Sequence, residues 1–123
     1  MAEKWFVSII INNYNYDRFV SQAIDSALAQ TYSETEVIVV DDCSTDDSRK
    51  IIGDYSDHII PILHKINGKQ GAAFNSGFAK SKGDIIIFLD ADDYLYPNAV
   101  ERIVAAWQPN AAKIHYRLAV VDS

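Results

Sequence analysis

Two aspartates separated by a single residue are the strongest chemical signal in this sequence. Asp90 and Asp92 follow an apolar run, residues 85–89, that has the length and composition of a buried strand. Residues i and i+2 of an extended segment project to the same side, so both carboxylates can face one hard cation. Such an ion would bridge the two phosphates of a nucleotide diphosphate and stabilise the charge that develops when it leaves. An acidic turn before a helix that begins at Pro97 is the alternative interpretation.

A second group of residues could recognise a nucleoside. Asp41 and Asp42 follow another strand-like run and offer acceptors for an imide or amine edge of a base, while Tyr14 offers a ring for stacking. Ordinary packing of Tyr14 and helix capping by one of the aspartates stay open as alternatives. Gly71 begins a run of small residues that would let the backbone approach a diphosphate, which is a weaker signal because tight packing at a helix start is the alternative interpretation.

The segments that must position these residues alternate in type. Apolar runs of strand length alternate with runs of helical period, which predicts β-α-β units and a mostly parallel sheet flanked by helices. The strand at 85–89 is the most apolar and is expected at the sheet centre, whereas Pro61 places its strand at an edge. Ser44 with Asp47 resembles a capping box that opens a helix. Strands are predicted at 6–11, 36–40, 59–63, 85–89 and 113–121, and helices at 17–30, 44–55, 71–81 and from about 97.

The polar clusters fall where such a sheet binds ligands. In open parallel sheets, ligands lie in the crevice beyond the carboxyl ends of the strands. Three predicted strands end in polar residues, at 12–15, 41–42 and 90–93. The three histidines lack metal-ligand spacing, and we interpret them as surface or strand residues. They are His58, His64 and His115.

Composition limits the class of protein. The 123 residues suffice for one domain, and a net charge of -6 without a basic run argues against nucleic acid as a partner. A single cysteine, Cys43, fits a reducing compartment. The first residues lack a charged leader, and no run reaches the length of a membrane span. We therefore expect a cytoplasmic chain, with the full-length protein either free or peripheral at the inner face of the membrane.

Several collinear motifs resemble the family 2 glycosyltransferases. The likeness covers nearly the whole chain and is specific because the motifs keep their order and spacing. The matching segments are 7–11, Tyr14-Asn15, 29–32, 36–42 with Ser44 and Asp46, Asn67-Gly68, Gly71, 75–77, 82–84 and 89–93.

That resemblance implies a GT-A fold, a nucleotide-diphospho-sugar donor with UDP-sugars favoured, a Mn²⁺ or Mg²⁺ ion, and inverting transfer to a hydroxyl acceptor. By position, Tyr14 would flank the base, and Asp42, with Asp41 beside it, would contact the base. Asp92 would ligate the metal, and Asp90 would serve the ribose or a metal-bound water. A contact from Asn12, just after the first strand, is also implied.

The sequence departs from the family in two respects. Phe74 stands where many members carry an arginine, which argues against a diphosphate contact from that helix. The family's general base lies well beyond the aspartate motif, whereas this sequence stops at Ser123. We therefore expect residues 1–123 to be a single truncated donor-binding domain that lacks the base and is inactive alone. Apolar surface left exposed by the missing part would promote self-association.

Two other classes of protein share part of this pattern. A phosphoacceptor receiver module also has an acidic pair after a strand, but its pair follows the first strand rather than the second. A phosphatase with an aspartate nucleophile has an Asp-x-Asp after an apolar strand, but near the start of its chain. Either would form an aspartyl-phosphate mimic with beryllofluoride, whereas a glycosyltransferase would not.

Overall fold

Strands and helices alternate along the chain in the computed structural model, which describes residues 5–106 and 114–117. The five strands within these residues are parallel and lie in the order β3-β2-β1-β4-β5. The predicted α/β architecture is therefore confirmed. The elements are β1 (Val7–Asn13), α1 (Val20–Leu28), β2 (Thr35–Asp41), α2 (Ser48–Asp54), β3 (Ile60–Leu63), α3 (Lys69–Lys80), β4 (Ile85–Asp90), α4 (Ala99–Ala105) and β5 (Ile114–Arg117).

The apolar strands are continuous in sequence because both faces of the sheet are buried. Side chains alternate between the faces along each strand, so Ile9 and Ile11 belong to one core and Ile10 to another. The first core receives buried residues from α1, α2 and α4, whereas the second is covered by α3 through Ala73. Because helices cover both faces, the loops lie at the carboxyl ends of the strands.

The structure corrects the predicted position of the strand at 85–89. This strand, β4, lies between β1 and β5, and β1 is the centre of the sheet. A high apolar content indicates that a strand is buried on both faces, and this is true of both β1 and β4. It does not indicate the order of the strands. The strand with Pro61 lies at the edge, as predicted.

The start of the second helix also differs from the prediction. The helix predicted to open at Ser44 begins at Ser48, and its N-cap residue, Asp47, makes no side-chain capping bond. Ser44 instead bonds to residues at the ends of β1 and β2. Two parts of the prediction lie outside the described residues. They are Trp107, predicted on the buried stripe of the last helix, and residues 113 and 118–121 of the last predicted strand.

No helix in the described ranges combines the length and apolar content needed to cross a bilayer.

Two helical glycines allow a matched test of the packing on the second face. A Cβ at Gly77 of α3 would lie 2.5 Å from Ile10 Cγ2, whereas a Cβ at Gly53 of α2 would meet nothing within 4 Å. We expect Gly77→Ala to lower the free energy of unfolding by about 1–2 kcal/mol through overpacking. Gly53→Ala is the control and should raise it by up to about 1 kcal/mol, because alanine favours a helix. Urea unfolding followed by circular dichroism measures both, and equal stabilisation would contradict the packing.

Candidate functional site

Pairing of β1 with its two neighbours gathers polar residues along the side of the sheet where the strands have their carboxyl ends, which we call the carboxyl edge. Asn13 pairs with Asp41 of β2, and Asn12 pairs with Asp90 of β4. The chain continues the same pattern for one more residue on each side, since the Asp42 amide donates to Asn13 O at 2.9 Å and the Ala91 amide to Asn12 O at 3.0 Å. Adjacent strands lie about 4.8 Å apart, so the tips of β2 and β4 are roughly 10 Å apart. The predicted clusters therefore share one edge.

Asp41 is fully buried and its carboxylate is bonded within the protein. Its Oδ1 accepts hydrogen bonds from Asn13 Nδ2 at 2.8 Å and Ser44 Oγ at 2.6 Å, and its Oδ2 accepts one from the Ser44 amide at 2.9 Å. A buried carboxylate requires such donors, because water no longer solvates it. Both oxygens are thus engaged in joining the ends of β1 and β2, so Asp41 supports the frame of the site.

Asp42 is bonded to residues that follow β3 and precede α3. Its Oδ1 lies 3.0 Å from His64 Nδ1 and accepts a hydrogen bond from the Gly68 amide at 2.9 Å. The other ring nitrogen, His64 Nε2, lies 2.7 Å from Ser76 Oγ of α3. Asp42 is 3% exposed, at the junction of three elements.

The interpretation of His64 as a surface or strand residue is wrong, because its side chain is only 17% exposed and lies in the site. A signal was available in the sequence. His64 directly follows the strand predicted at 59–63, and the carboxyl ends of parallel strands are where such sheets bind ligands. In the structure, the His64 amide donates to Asp41 O at 2.9 Å. His58 is exposed, as predicted, and the His115 side chain lies outside what is described.

Two left-handed residues shape the loops after β1 and β2. Asn15 has a φ of 58° and Cys43 a φ of 65°, a conformation that is uncommon for residues other than glycine. The loops bond to each other across this turn: the Asn15 amide donates to Ser44 Oγ at 2.9 Å, and the Thr45 amide donates to Asn15 Oδ1 at 2.8 Å. Each loop therefore fixes the other.

The remaining residues predicted to bind a donor lie around this edge. Tyr14 is 44% exposed directly after β1, Asn12 is half-buried, and Gly71 is exposed in the first turn of α3. A Cβ at Gly71 would meet nothing within 4 Å, so open space adjoins its backbone. Phe74, on the next turn, stacks on Phe88 of β4 with ring centroids 4.4 Å apart. The departure at Phe74 thus serves packing between α3 and the sheet.

Three carboxylates lie together at the tip of β4. Asp90, Asp92 and Asp93 each offer an oxygen within 4.8 Å of the other two, with Asp92 exposed and the others half-buried. Carboxylate oxygens are the ligands that Mg²⁺, Mn²⁺ and Ca²⁺ prefer. The donor set therefore fits a hard divalent cation. Asp93 was not among the predicted ligands, although it is adjacent to Asp92 in sequence.

Asp46 links the two loops from the other side. Its carboxylate accepts hydrogen bonds from the Asp17 and Ser48 amides, both at 2.9 Å. Desolvation by itself would raise the pKa of Asp46, but hydrogen bonds from Ser48 and from the Asp17 backbone outweigh it and hold the pKa below its ordinary value of 3.8. The loop that carries Tyr14 is thereby attached to the start of α2.

Comparison with known proteins gives one consistent result. The sequence profile of "Glycosyl transferase family 2" matches residues 8–117. An uncharacterised glycosyltransferase of Nostoc sp. is 45% identical over 94% of this chain and 37% of its own length. EpsJ of Bacillus subtilis, also an uncharacterised glycosyltransferase, is 37% identical over 88% of this chain and 32% of its own length. The chain thus spans about a third of the length of these relatives.

Solved structures share the fold. TarS of S. aureus superposes with a TM-score of 0.75 at 28% identity, covering 81% of this chain and 31% of that one, and it has been solved with UDP and with UDP-GlcNAc. The mannosyltransferase PcManGT of Pyrobaculum calidifontis, solved with GDP-Man and Mn²⁺, gives a TM-score of 0.70 over 84% of this chain and 32% of its own. Its identity of 24% supports the fold alone.

The buried bonds of Asp41 predict a large effect on stability. Asp41→Ala should lower the free energy of unfolding by about 3 kcal/mol, because it leaves the amide of Asn13 and the hydroxyl of Ser44 without their buried acceptor. Asp57→Ala, at an exposed aspartate before β3, is the control and should change it by no more than about 0.5 kcal/mol. Chemical denaturation measures both. Equal values would show that Asp41 does not hold the site together.

The lowered pKa of Asp46 predicts an acid-sensitive stability. A group whose pKa is lower in the folded state stabilises the fold above its unfolded value, so this contribution is present at neutral pH and is lost as the pH falls below about 4. Asp46→Asn should therefore be less stable than the wild type at pH 7, with a smaller difference at pH 3. Urea midpoints at the two pH values test this, and a difference that does not shrink on acidification would contradict it.

Proposed function

The chain belongs to glycosyl transferase family 2 and has the GT-A fold, and we propose that it binds a nucleotide-diphospho-sugar donor through a divalent cation. The observation that carries the proposal is the shared edge formed by β2, β1 and β4, with Asp42 at one end and three carboxylates at the other. The Nostoc relative is about three times as long as this chain. For a whole protein of that kind we propose that the donor's sugar passes to a hydroxyl acceptor with inversion.

The nucleoside occupies the side of the edge formed by the tips of β1 and β2. We assign base recognition to Asp42 and stacking to Tyr14, whose exposed ring is free of the burial that packing alone would require. Asn12, between the tips of β2 and β4, lies where a ribose would pass. The UDP and UDP-GlcNAc complexes of TarS favour a UDP-sugar as the donor.

The diphosphate occupies the side of β4. Asp92, with Asp90 and Asp93, would hold Mn²⁺ or Mg²⁺, and Asp90 would alternatively serve the ribose or a water on the ion. When bound, the cation screens the diphosphate from these carboxylates and stabilises its charge as it leaves. The chain's net charge of -6 is unfavourable to a polyanionic ligand, and such screening reduces the repulsion. The open backbone at Gly71 lies at the start of α3, where amide groups attract a phosphate.

We place the general base outside residues 5–106. Inversion requires a base on the face of the sugar opposite the departing diphosphate. In our proposal the described carboxylates at this end of the sheet are donor ligands or internal supports, so we expect the chain alone to bind the donor without transferring its sugar. The acidic pair follows β2 rather than β1, and the receiver-module alternative therefore receives no support. The single free cysteine, Cys43, agrees with a cytoplasmic location.

Calorimetry with UDP, dTDP and GDP, each with and without Mn²⁺, tests donor binding. Asp92→Ala should reduce the affinity measured with Mn²⁺ to the value without it, a loss of about tenfold or more, because one metal ligand is gone. Asp57 is an exposed aspartate that precedes β3 and so lies near the amino end of that strand. Asp57→Ala is the matched control, and this variant should bind nucleotide as the wild type does. If none of the nucleotides binds a folded chain at millimolar concentration, the proposed function is wrong.

Asp42→Ala should weaken nucleotide binding whether or not Mn²⁺ is present, because the Asp42 carboxylate binds the base and not the metal. The expected loss of affinity is about tenfold. The same titrations measure it, with circular dichroism to verify that the variant is folded. An Asp42→Ala variant that binds more weakly only with Mn²⁺ would place this residue at the metal instead.

A further inference from the structure

A chain of hydrogen bonds runs from α3 to Asp42 through His64. Ser76 Oγ lies 2.7 Å from His64 Nε2, and His64 Nδ1 lies 3.0 Å from Asp42 Oδ1. The Asp42 side chain is 4% exposed and that of His64 is 17% exposed. Both ring nitrogens of His64 are thus occupied by protein groups. The imidazole therefore acts on a ligand through Asp42 rather than by touching the ligand itself.

The chemistry of the partners fixes which ring nitrogen carries the proton. A carboxylate oxygen only accepts, and Asp42 Oδ1 already accepts from the Gly68 amide at 2.9 Å, so His64 Nδ1 must be the donor. In the neutral ring, Nε2 is then an acceptor, and the Ser76 hydroxyl donates to it. In the charged ring, both nitrogens donate and Ser76 accepts. The hydrogen bond from Nδ1 to Asp42 is present in both forms.

The backbone around His64 is held independently of its ring. Its amide donates to Asp41 O at 2.9 Å, and Arg49 Nη1 donates to its carbonyl oxygen at 3.0 Å. The ring is therefore positioned by β2, α2 and α3 together. Two donors on one oxygen of Asp42 fix the rotation of the carboxylate, because turning it would break both bonds.

We propose that His64 is a positioning residue that sets which nucleobase the site accepts; this rests on the proposed function, in which Asp42 contacts the base. A carboxylate held in one orientation presents acceptors only, so it favours a base whose edge carries an N–H. Uracil, thymine and guanine have a ring N–H on that edge. Adenine and cytosine present a nitrogen lone pair there, which a fixed carboxylate repels. The site should therefore select bases that carry a ring N–H on this edge.

Two substitutions of His64 separate its two hydrogen bonds. In His64→Asn the amide nitrogen falls near the place of Nδ1, which retains a donor to Asp42 and removes the bond to Ser76. In His64→Gln the amide reaches toward the place of Nε2, which retains the bond to Ser76 and removes the donor to Asp42. The two variants are matched in polarity and in the absence of the ring. Only the second should disturb the base contact.

The readout is discrimination between UDP and UDP that carries a methyl group on N3, measured by calorimetry on the 123-residue chain with Mn²⁺. The wild type should bind UDP at least about tenfold more tightly than the methylated nucleotide. His64→Asn should keep this ratio within about threefold, whereas His64→Gln should lower it to near one. If His64 had a purely structural role, His64→Gln would weaken the binding of both nucleotides equally and leave the ratio of their affinities unchanged. Thermal unfolding identifies any variant that fails to fold.

Nitrogen NMR of the imidazole gives a second measurement that does not depend on nucleotide. The wild-type ring should carry its proton on Nδ1, and Asp42→Ala, which removes the acceptor of Nδ1, should increase the fraction of the other tautomer, whereas Ser76→Ala should leave the proton on Nδ1. A folded His64→Gln variant that keeps the wild-type ratio, or a wild-type ring protonated on Nε2 alone, would overturn the positioning role while leaving donor binding intact. A wild-type chain that binds no nucleotide would overturn the proposed function, and this inference with it.

Discussion

The whole arrangement depends on the parallel register of β1 with β2 and β4. That register is stabilised by apolar side chains on both faces of the sheet, and it aligns the ends of the three strands to within one residue. Since the strands end together, the polar residues that follow them need no long loops to meet. A slip of one residue would exchange the faces of a strand and move its terminal aspartate away from the edge.

Much of this fold follows from the sequence alone. Each strand is identifiable from its apolar run, and the edge position of β3 follows from Pro61, which has no amide hydrogen to donate. The prediction of β4 as the centre is wrong, because the order of strands depends on where each crossover returns and not on the composition of the strand. The predicted helix start at Ser44 is also wrong. The Ser44 hydroxyl forms hydrogen bonds with Asp41, Asn13 and Asn15 and does not cap a helix.

The site shows the same limit at finer scale. Sequence reasoning places Asp41 and Asp42 together, but their different environments come from the pleat of β2 and the turn at Cys43, which send the first inward to Asn13 and the second toward His64. The partners of His64 lie 22 and 12 residues away along the chain, so no local spacing reveals them. Asp90 and Asp92 lie close together, but a turn in which the Asp93 amide donates to Asp90 O brings them there, and not the extended backbone that the i, i+2 spacing predicts.

The central position of β1 has a consequence for biosynthesis. This strand leaves the ribosome before its two neighbours and can pair with β2 soon afterwards, but its other side waits until β4 has been translated. Until then a nascent chain carries an apolar strand with one row of amide and carbonyl groups unpaired, which is a surface prone to wrong association. The two ends of the candidate site therefore come together only when β4 has been translated and pairs with β1.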